Sequence, residues 1–370
     1  RAQMFDRENI LIVLPYFCLL FIGLVMVASS SVYVSEDLYG TPFHFASRQV
    51  IFLLLGIFAT IIALSIPSNL FFSLDWLILI GSLLLLIALF FPGVGTEVNG
   101  SLRWIRIGPI NIQPSEVSKL ALVVYISGYC VRRLSEINTS LGFFRPLIVL
   151  ALFGLFIMSQ PDLGSTLVIG ALVIAMLFFA GISFFQFSLL ILLMGSLAAI
   201  AVYLEPYRYI RFISFTEPFD HFYGPGWQLS NALIGIGRGE WLGVGLGNGL
   251  QKNLYLPEPH TDFIFAVIVE EFGLIGGLVV IFLFAVLIFG IFKTSIKALE
   301  LGKLFQGLLA FGAGILIAIQ VVFNIGVNLG ILPTKGLTLP FISYGGTSLI
   351  LFMFLMGMVL RINFENDTIK

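Results

Sequence analysis

Charge is what this sequence has least of. Only 11% of its 370 residues are Asp, Glu, Lys or Arg, against about 25% in soluble domains. The basic and acidic residues nearly cancel, to a net charge of −1, which removes the electrostatic case for a nucleic-acid partner. The two cysteines, Cys18 and Cys130, lie far apart in apolar runs, so neither a disulfide framework nor a thiolate metal site is in view. The three histidines, His44, His221 and His260, are too scattered to argue for a metal site. The patterns H-E-x-x-H, G-x-S-x-G, G-x-x-x-x-G-K-[ST] and D-x-D are missing. Seven glycines between Gly235 and Gly249 do not fit G-x-G-x-x-G and have no strand–turn–helix around them. No internal repeat supports the inverted symmetry common in transporters.

What fills the chain instead is apolar. Leu, Ile, Phe and their kind make up 59% of it, and mean hydropathy is +1.06. A soluble fold could not hide that surface, so a bilayer acts as part of the solvent. A span needs about 20 mostly apolar residues. Ten such stretches stand near 10–30, 49–66, 73–91, 113–131, 145–159, 165–181, 184–203, 263–292, 305–329 and 346–362. The chain starts at Arg1 without Met and reads as trimmed, and residues 10–30 read as a first span, not a cleaved signal. The expected fold is an all-α polytopic membrane protein of about ten transmembrane helices, a single domain over 1–370. Three outer loops, 92–112, 204–262 and 330–345, are long and polar, the largest lying between spans 7 and 8. Loops of that length usually carry function.

Ten spans put both termini on one side. With the termini inside, the short inner loops collect ten basic residues; the outer face collects Arg48, Arg103, Arg106, Arg208, Arg211, Arg238, Lys252 and Lys335. Four of these lie in the one long loop that the positive-inside rule discounts, so a cytoplasmic location for both termini is the better orientation.

Ionisable residues inside spans are costly and therefore informative. Glu116 and Lys119 stand three apart on one helix face, as a locking pair or as ligand contacts. Asp162, in Gln160-Pro-Asp-Leu-Gly164, reads first as a helix cap. Glu270 and Glu271 read as partner-bonded acids within the bundle. Asp262 stands where a long polar loop enters a membrane helix, flanked by His260 and Thr261. It could cap that helix or face a polar outer cavity. The residues alone do not separate enzyme from transporter.

The loop segments carry a resemblance. Arg103-Trp-Ile-Arg-Ile-Gly108 followed by Gln113-Pro-Ser-Glu-Val-Ser-Lys119 resembles the SEDS family of bacterial cell-wall synthesis. So do Gln160-Pro-Asp-Leu-Gly164, Leu256-Pro-Glu-Pro-His-Thr-Asp-Phe-Ile-Phe-Ala266 with Glu270-Glu271, and Leu332-Pro-Thr-Lys-Gly-Leu-Thr-Leu-Pro-Phe-Ile-Ser-Tyr-Gly-Gly346. These blocks fall in order and cover essentially the whole chain. Gly245-Leu-Gly-Asn-Gly-Leu-Gln-Lys-Asn-Leu-Tyr255 is most like the FtsW branch, which serves division, and less like the RodA branch. Pro259, where Ala is common, and Val27-Ala-Ser-Ser-Ser31 are small departures.

The resemblance implies ten spans in the bacterial cytoplasmic (inner) membrane, at the division septum for an FtsW-like protein. It implies a peptidoglycan glycosyltransferase that polymerises lipid II at the outer face, with a class B penicillin-binding protein and other division proteins as partners. By the same resemblance Asp262 is the essential aspartate and expected general base. Arg103, Glu116, Lys119, His260, Lys335 and Ser343 are the expected substrate contacts, and a divalent cation, Mg2+ or Mn2+, is a possible cofactor. The partner's membrane helix is expected against spans eight and nine, near Lys293, Lys297 and Lys303. The rival is a lipid II flippase, disfavoured because the inner half reads as nearly bare of polar groups; a non-catalytic scaffold is a third reading.

Overall fold

In a computed structural model of the chain, the described residues are all but 1–6, 99–100, 109, 335 and 369–370. Helices dominate: α1 (Arg7–Ser30), α2 (Val32–Tyr39), α3 (His44–Ser65), α4 (Ser68–Ser73), α5 (Asp75–Ala88), α6 (Pro114–Arg132), α7 (Ser140–Met158), α8 (Leu163–Ala180) and α9 (Phe184–Tyr203). They continue with α10 (Pro206–Thr216), α11 (Trp227–Gly239), α12 (Ile264–Glu300), α13 (Leu304–Asn328) and α14 (Gly346–Asp367). Among the described residues eight helices are long and apolar enough to cross a membrane: α1, α3, α7, α8, α9, α12, α13 and α14. The spans expected at 73–91 and 113–131 are helical too. Of these, α5 has 14 residues, and α6 carries Glu116, Lys119 and Arg132 along its 19. Helices suit this solvent because each closes its own backbone hydrogen bonds.

The chain forms two compact units. One comprises Arg1–Leu54, Ala199–Phe289 and Gln320–Gly345; the other Leu55–Ala198, Gly290–Ile319 and Gly346–Lys370.

The second unit is centred on α6, buried along most of its length. Its fixed charges are paired: buried Asp75 with Arg132 at 2.7 Å, and Lys119 with Glu116 at 2.6 Å. The outer loop at 92–112 is an antiparallel three-stranded sheet, β1 (Gly95–Val98), β2 (Ser101–Ile107) and β3 (Ile110–Ile112). Gly95 pairs with Ile105, and Ile105 with Ile112. Thr347 ties the sheet to the start of α14, its Oγ1 donating to the Asn111 carbonyl at 2.6 Å and accepting from the Gln113 amide at 3.2 Å.

The same unit corrects one expectation about polarity. The ends of α12 and α14, together with α4 and the start of α13, carry a dense polar network. Glu365 accepts from the Ser68 amide and hydroxyl and from Arg361; Lys297 pairs with Asp367 at 2.7 Å; Lys303 donates to the Glu365 carbonyl; Asn366 donates to the Thr294 carbonyl. These groups satisfy one another, so the network is a clasp between helix ends and not a lined path. Burial pulls the Lys303 ammonium below its usual range, against the opposing fields of Glu365 and Asp367.

In the first unit, α12 runs 37 residues but is broken at Gly273, where φ is 72° and ψ −174°. That break leaves four backbone groups without helical partners, and the loop after α11 supplies replacements. The amides of Val244 and Gly245 donate to the Glu270 and Glu271 carbonyls at 3.0 Å each. The Glu240 and Trp241 carbonyls accept from the amides of Leu274 and Ile275 at 2.8 and 3.3 Å. Two glycines make the crossing possible: a Cβ on Gly273 would lie 2.3 Å from the Trp241 oxygen, and one on Gly243 2.2 Å from the Glu271 oxygen. The glycine-rich run that fits no nucleotide-binding pattern is therefore a packing device.

Candidate active site

Asp262 lies half-buried two residues before α12 begins. Three successive carbonyls around it are held from outside. The Tyr344 amide donates to the His260 carbonyl at 2.8 Å, and the Ser343 hydroxyl to that of Thr261 at 2.6 Å. The Asn324 and Asn328 side-chain amides donate to the carbonyl of Asp262 itself, at 3.0 and 2.9 Å. Asn328 also accepts from the Ala266 amide at 3.0 Å. One of the orphan amides at the start of α12 is thus capped by an asparagine on α13, a duty otherwise expected of a side chain in the preceding loop.

The backbone around Asp262 is over-determined. Glu258 and Phe341 adopt left-handed φ values of 53° and 66°, uncommon for such residues. The Glu258 turn is closed by the Thr261 hydroxyl, which donates to its carboxylate at 2.9 Å. The Phe341 turn is held by Tyr16 of α1, ring centroids 5.3 Å apart, and by Ser343 Oγ, which accepts from the Leu339 amide at 2.8 Å. Strained residues cluster where a structure fixes something for use. The carboxylate is directed at the 330–345 loop: a Cβ on Gly336 would lie 3.1 Å from Asp262 Oδ2.

His260 is buried between Phe45 and Tyr344, with ring centroids 4.4 and 5.5 Å away. Burial lowers its pKa despite the nearby Glu258 charge, which leaves the imidazole neutral at physiological pH. The same burial raises that of Tyr344, partly offset by Arg48.

Behind this sits a buried charge network. Glu271 receives Lys252 at 2.6 Å and the Ser29 hydroxyl at 2.9 Å, and Lys252 also donates to Ser29 at 2.8 Å. Glu270 receives Arg238 and the amides of Leu250 and Gln251, at 2.8, 2.8 and 3.2 Å. The two acids are partner-bonded, as their place in the apolar run predicts.

The residues named in the sequence fall into both units. Asp262, His260 and Ser343 belong to the first, Arg103, Glu116 and Lys119 to the second; Lys335 lies outside the described residues. Arg103 braces β2 to the turn between α7 and α8, donating to the carbonyls of Gln160 and Pro161 at 3.1 and 2.8 Å. In that turn Asp162 caps α8, accepting from the Ser165 amide at 3.0 Å. The Glu116–Lys119 pair faces a small gap walled by Leu120, Leu316 and Leu351. Sequence reasoning misses Asn324 and Asn328; two asparagines one helical turn apart, within an apolar run, are the signal that could find them.

Among the described residues no group of three or more His, Cys, Asp or Glu side chains is arranged to hold a metal ion. These residues thus offer no protein-built cage of carboxylates for a divalent cation.

This architecture has known counterparts. A chain from a peptidoglycan synthase complex, solved in a study of the coordination of polymerization and crosslinking, superposes with a TM-score of 0.75 at 26% identity, covering 95% of this chain and 98% of that one. The crystal structure of the rod shape determining protein RodA of Thermus thermophilus gives a TM-score of 0.70 at 25% identity, with 96% of each chain covered. A protein of Marinomonas mediterranea described as a probable peptidoglycan glycosyltransferase FtsW is 44% identical over 366 residues, 99% of this chain and 90% of its own length. Residues 9–368 match the family description "Cell cycle protein" shared by FtsW, RodA and SpoVE. With the broken α12, the anchored aspartate and the loop blocks all inside that matched span, the chain belongs to the FtsW/RodA/SpoVE family of cell cycle proteins.

Proposed function

We propose that this multi-pass membrane protein is a peptidoglycan glycosyltransferase of the FtsW type, polymerising lipid II with Asp262 as general base. The observation that carries the assignment of the base is the anchoring of Asp262: its own carbonyl and the two before it are each bonded from another segment. Such bracing is what a positioned catalytic group needs. In the reaction, O4 of one GlcNAc bonds to the anomeric carbon of a MurNAc, and the bond from that carbon to the undecaprenyl diphosphate oxygen breaks. The hydroxyl proton passes to the Asp262 carboxylate, and the diphosphate leaves as an anion. A single positioned base is worth about 10²–10⁴-fold, and a diphosphate needs charge stabilisation more than protonation, so a second carboxylic acid of the glycosidase kind is unnecessary.

The test is Asp262→Asn. Asn caps a helix about as well as Asp, and the main-chain anchors are untouched, so the protein should fold with an unchanged thermal midpoint while polymerisation falls by about 10²-fold or more. Wild-type polymerisation by a folded Asp262→Asn protein would remove the assignment and reopen the flippase reading. His260 and Ser343 then serve the site as substrate contacts or as its frame. Any Mg2+ or Mn2+ requirement is read from activity with and without EDTA.

Ten spans with both termini cytoplasmic complete the reading. Cysteines at Asn231 and Ser135 should label from opposite faces of intact cells, Asn231 from outside; the reverse would invert the topology. The partner we propose is a class B penicillin-binding protein docking its membrane helix on α12 and α13 at the septum, where α12 exposes Leu274, Leu278 and Phe282. Photo-crosslinks confined to α1, α3 and α5 would exclude that surface.

A further inference from the structure

On α3, Phe45, Arg48 and Phe52 follow at spacings of three and four and so share one face. The rings of both phenylalanines pack on Tyr344, at centroid distances of 5.1 and 6.0 Å. Arg48, between them on that face, lies close enough for its charge to act on the Tyr344 hydroxyl. The Tyr344 amide is bonded to the His260 carbonyl, two residues before Asp262. Half-buried Arg48 is thus linked, through one ring and one peptide bond, to the loop that holds the carboxylate.

Its charge is not balanced by protein. In the same unit Arg238 is neutralised by Glu270 and Lys252 by Glu271. Among the described residues Arg48 has no carboxylate at ion-pair distance, although it is half-buried on the helix face that packs on Tyr344. A charge drawn partly out of water without a counter-ion is unfavourable until an anion completes it. His260 adds a second vacancy: its ring is 3% exposed and its Nδ1 is buried with no hydrogen-bond partner. A guanidinium fork and a neutral imidazole gathered about the same Tyr344 ring match the oxygens of a phosphate ester.

We infer that Arg48, with His260, forms an anion subsite adjoining Asp262 and that it takes the diphosphate of a lipid-linked saccharide. This rests on the glycosyltransferase reading for the ligand's identity. Displacement at the anomeric carbon puts the leaving group on the far side of the sugar ring from the hydroxyl that Asp262 deprotonates. The diphosphate is therefore held about one ring away from the carboxylate. Arg48 neutralises its growing charge, and the buried imidazole donates to a phosphate oxygen.

The experiment measures binding, without turnover, on the full chain in nanodiscs. Undecaprenyl diphosphate, undecaprenyl monophosphate and inorganic pyrophosphate are the probes. Wild type should prefer the diphosphate lipid to the monophosphate, and Asp262→Asn should keep that preference. Arg48→Gln should lose it, with affinity for the diphosphate lipid down about tenfold or more, as expected for a charge-assisted contact. Its polymerisation should show a raised KM beyond any change in kcat. Arg48→Lys, which keeps the charge without the fork, should bind with intermediate affinity. A folded Arg48→Gln protein that retains the preference would overturn the subsite, as would equal loss of affinity for both lipids, the mark of a mere brace for Tyr344. If Arg48→Gln does not fold, wild-type affinity in Arg48→Lys overturns it instead. Inorganic pyrophosphate binding as tightly as the diphosphate lipid would assign the site to a soluble anion and reject the lipid-linked ligand. Because the binding arms need no catalysis, their result stands apart from whether Asp262→Asn polymerises.

Discussion

The break in α12 makes a quantitative prediction. Gly273 has φ 72° and ψ −174°, a region that is essentially glycine's alone and costs another residue about 1–3 kcal/mol. In Gly273→Ala the new methyl would also sit 2.3 Å from the Trp241 oxygen and 2.4 Å from its carbon. That carbonyl must retreat, and it accepts one of the four bonds that stitch the loop across the break. Losing one or two of these removes about 0.5–1.5 kcal/mol each, so the total is about 1.5–6 kcal/mol. At roughly 2 °C per kcal/mol for a chain of this size or smaller, the thermal midpoint should fall by several degrees. The control is Gly81→Ala. Gly81 lies inside α5, where an added methyl would meet nothing within 4 Å, and Ala there should be neutral or gain up to about 1 kcal/mol of helix propensity. Both variants would be scanned in nanodiscs at one heating rate, with hydrogen exchange read over 264–275. Faster exchange there, a lower midpoint and reduced polymerisation are expected for Gly273→Ala. If it matched Gly81→Ala in midpoint and exchange, the crossing at Gly273 would not be holding α12, and the reasoning would fail.

The charge network gives a second test: Lys252→Met strands the Glu271 carboxylate and should cost about 3–5 kcal/mol, whereas Lys252→Met with Glu271→Gln should recover much of it. Equal destabilisation by the single and double variants would refute the coupling. Gly336→Ala should crowd the Asp262 carboxylate, whose Oδ2 lies 3.1 Å from the added methyl. Polymerisation should drop about tenfold or more, since an ångström of misplacement can cost about 10²-fold, with little change in midpoint; full activity would show that the carboxylate is not held there. Burial lowers the His260 pKa below its unfolded value of about 6.5. Its contribution to stability is therefore whole above that pH and is lost as pH falls through the folded pKa, so the midpoint should drop from pH 7 to 5 by less in His260→Gln than in wild type. Parallel curves would show that His260 is not the titrating group.

Much of the fold is legible in the sequence because the bilayer imposes length. The run at 184–203 coincides with α9, whose apolar edges are sharp, and only Leu190 on it is buried. The expected end at 292 stops short of Glu300 because Lys293 and Lys297 look like a membrane boundary. The helix continues because Asp367, seventy residues on, neutralises Lys297. The sheet over 95–112 is not legible at all. Its longest strand is seven residues, and with Arg103 and Arg106 in it a loop is the simpler reading. The Gly273 break is invisible to periodicity because the apolar run passes straight through it. At the site, motif resemblance finds Asp262, His260 and Ser343, but nothing local reveals that three carbonyls there are anchored from segments 62 to 84 residues away.

Position in the sequence is therefore a poor guide to which charges are structural. Asp75, Glu116, Glu270 and Glu271 all fall within spans expected from the sequence, where an ionisable side chain invites a functional reading. Each proves to have a basic partner within 2.8 Å. Arg103 sits in a motif block yet spends its guanidinium on two backbone carbonyls. A charge whose counter-ion is built into the fold has already been compensated for leaving water, and binding a substrate there would first have to break that pair. A half-buried charge without one, as Arg48 is among the described residues, carries its compensation as an unfilled demand. Sorting the ionisable residues by whether the protein itself completes them separates frame from site here, where sorting by depth or by motif does not.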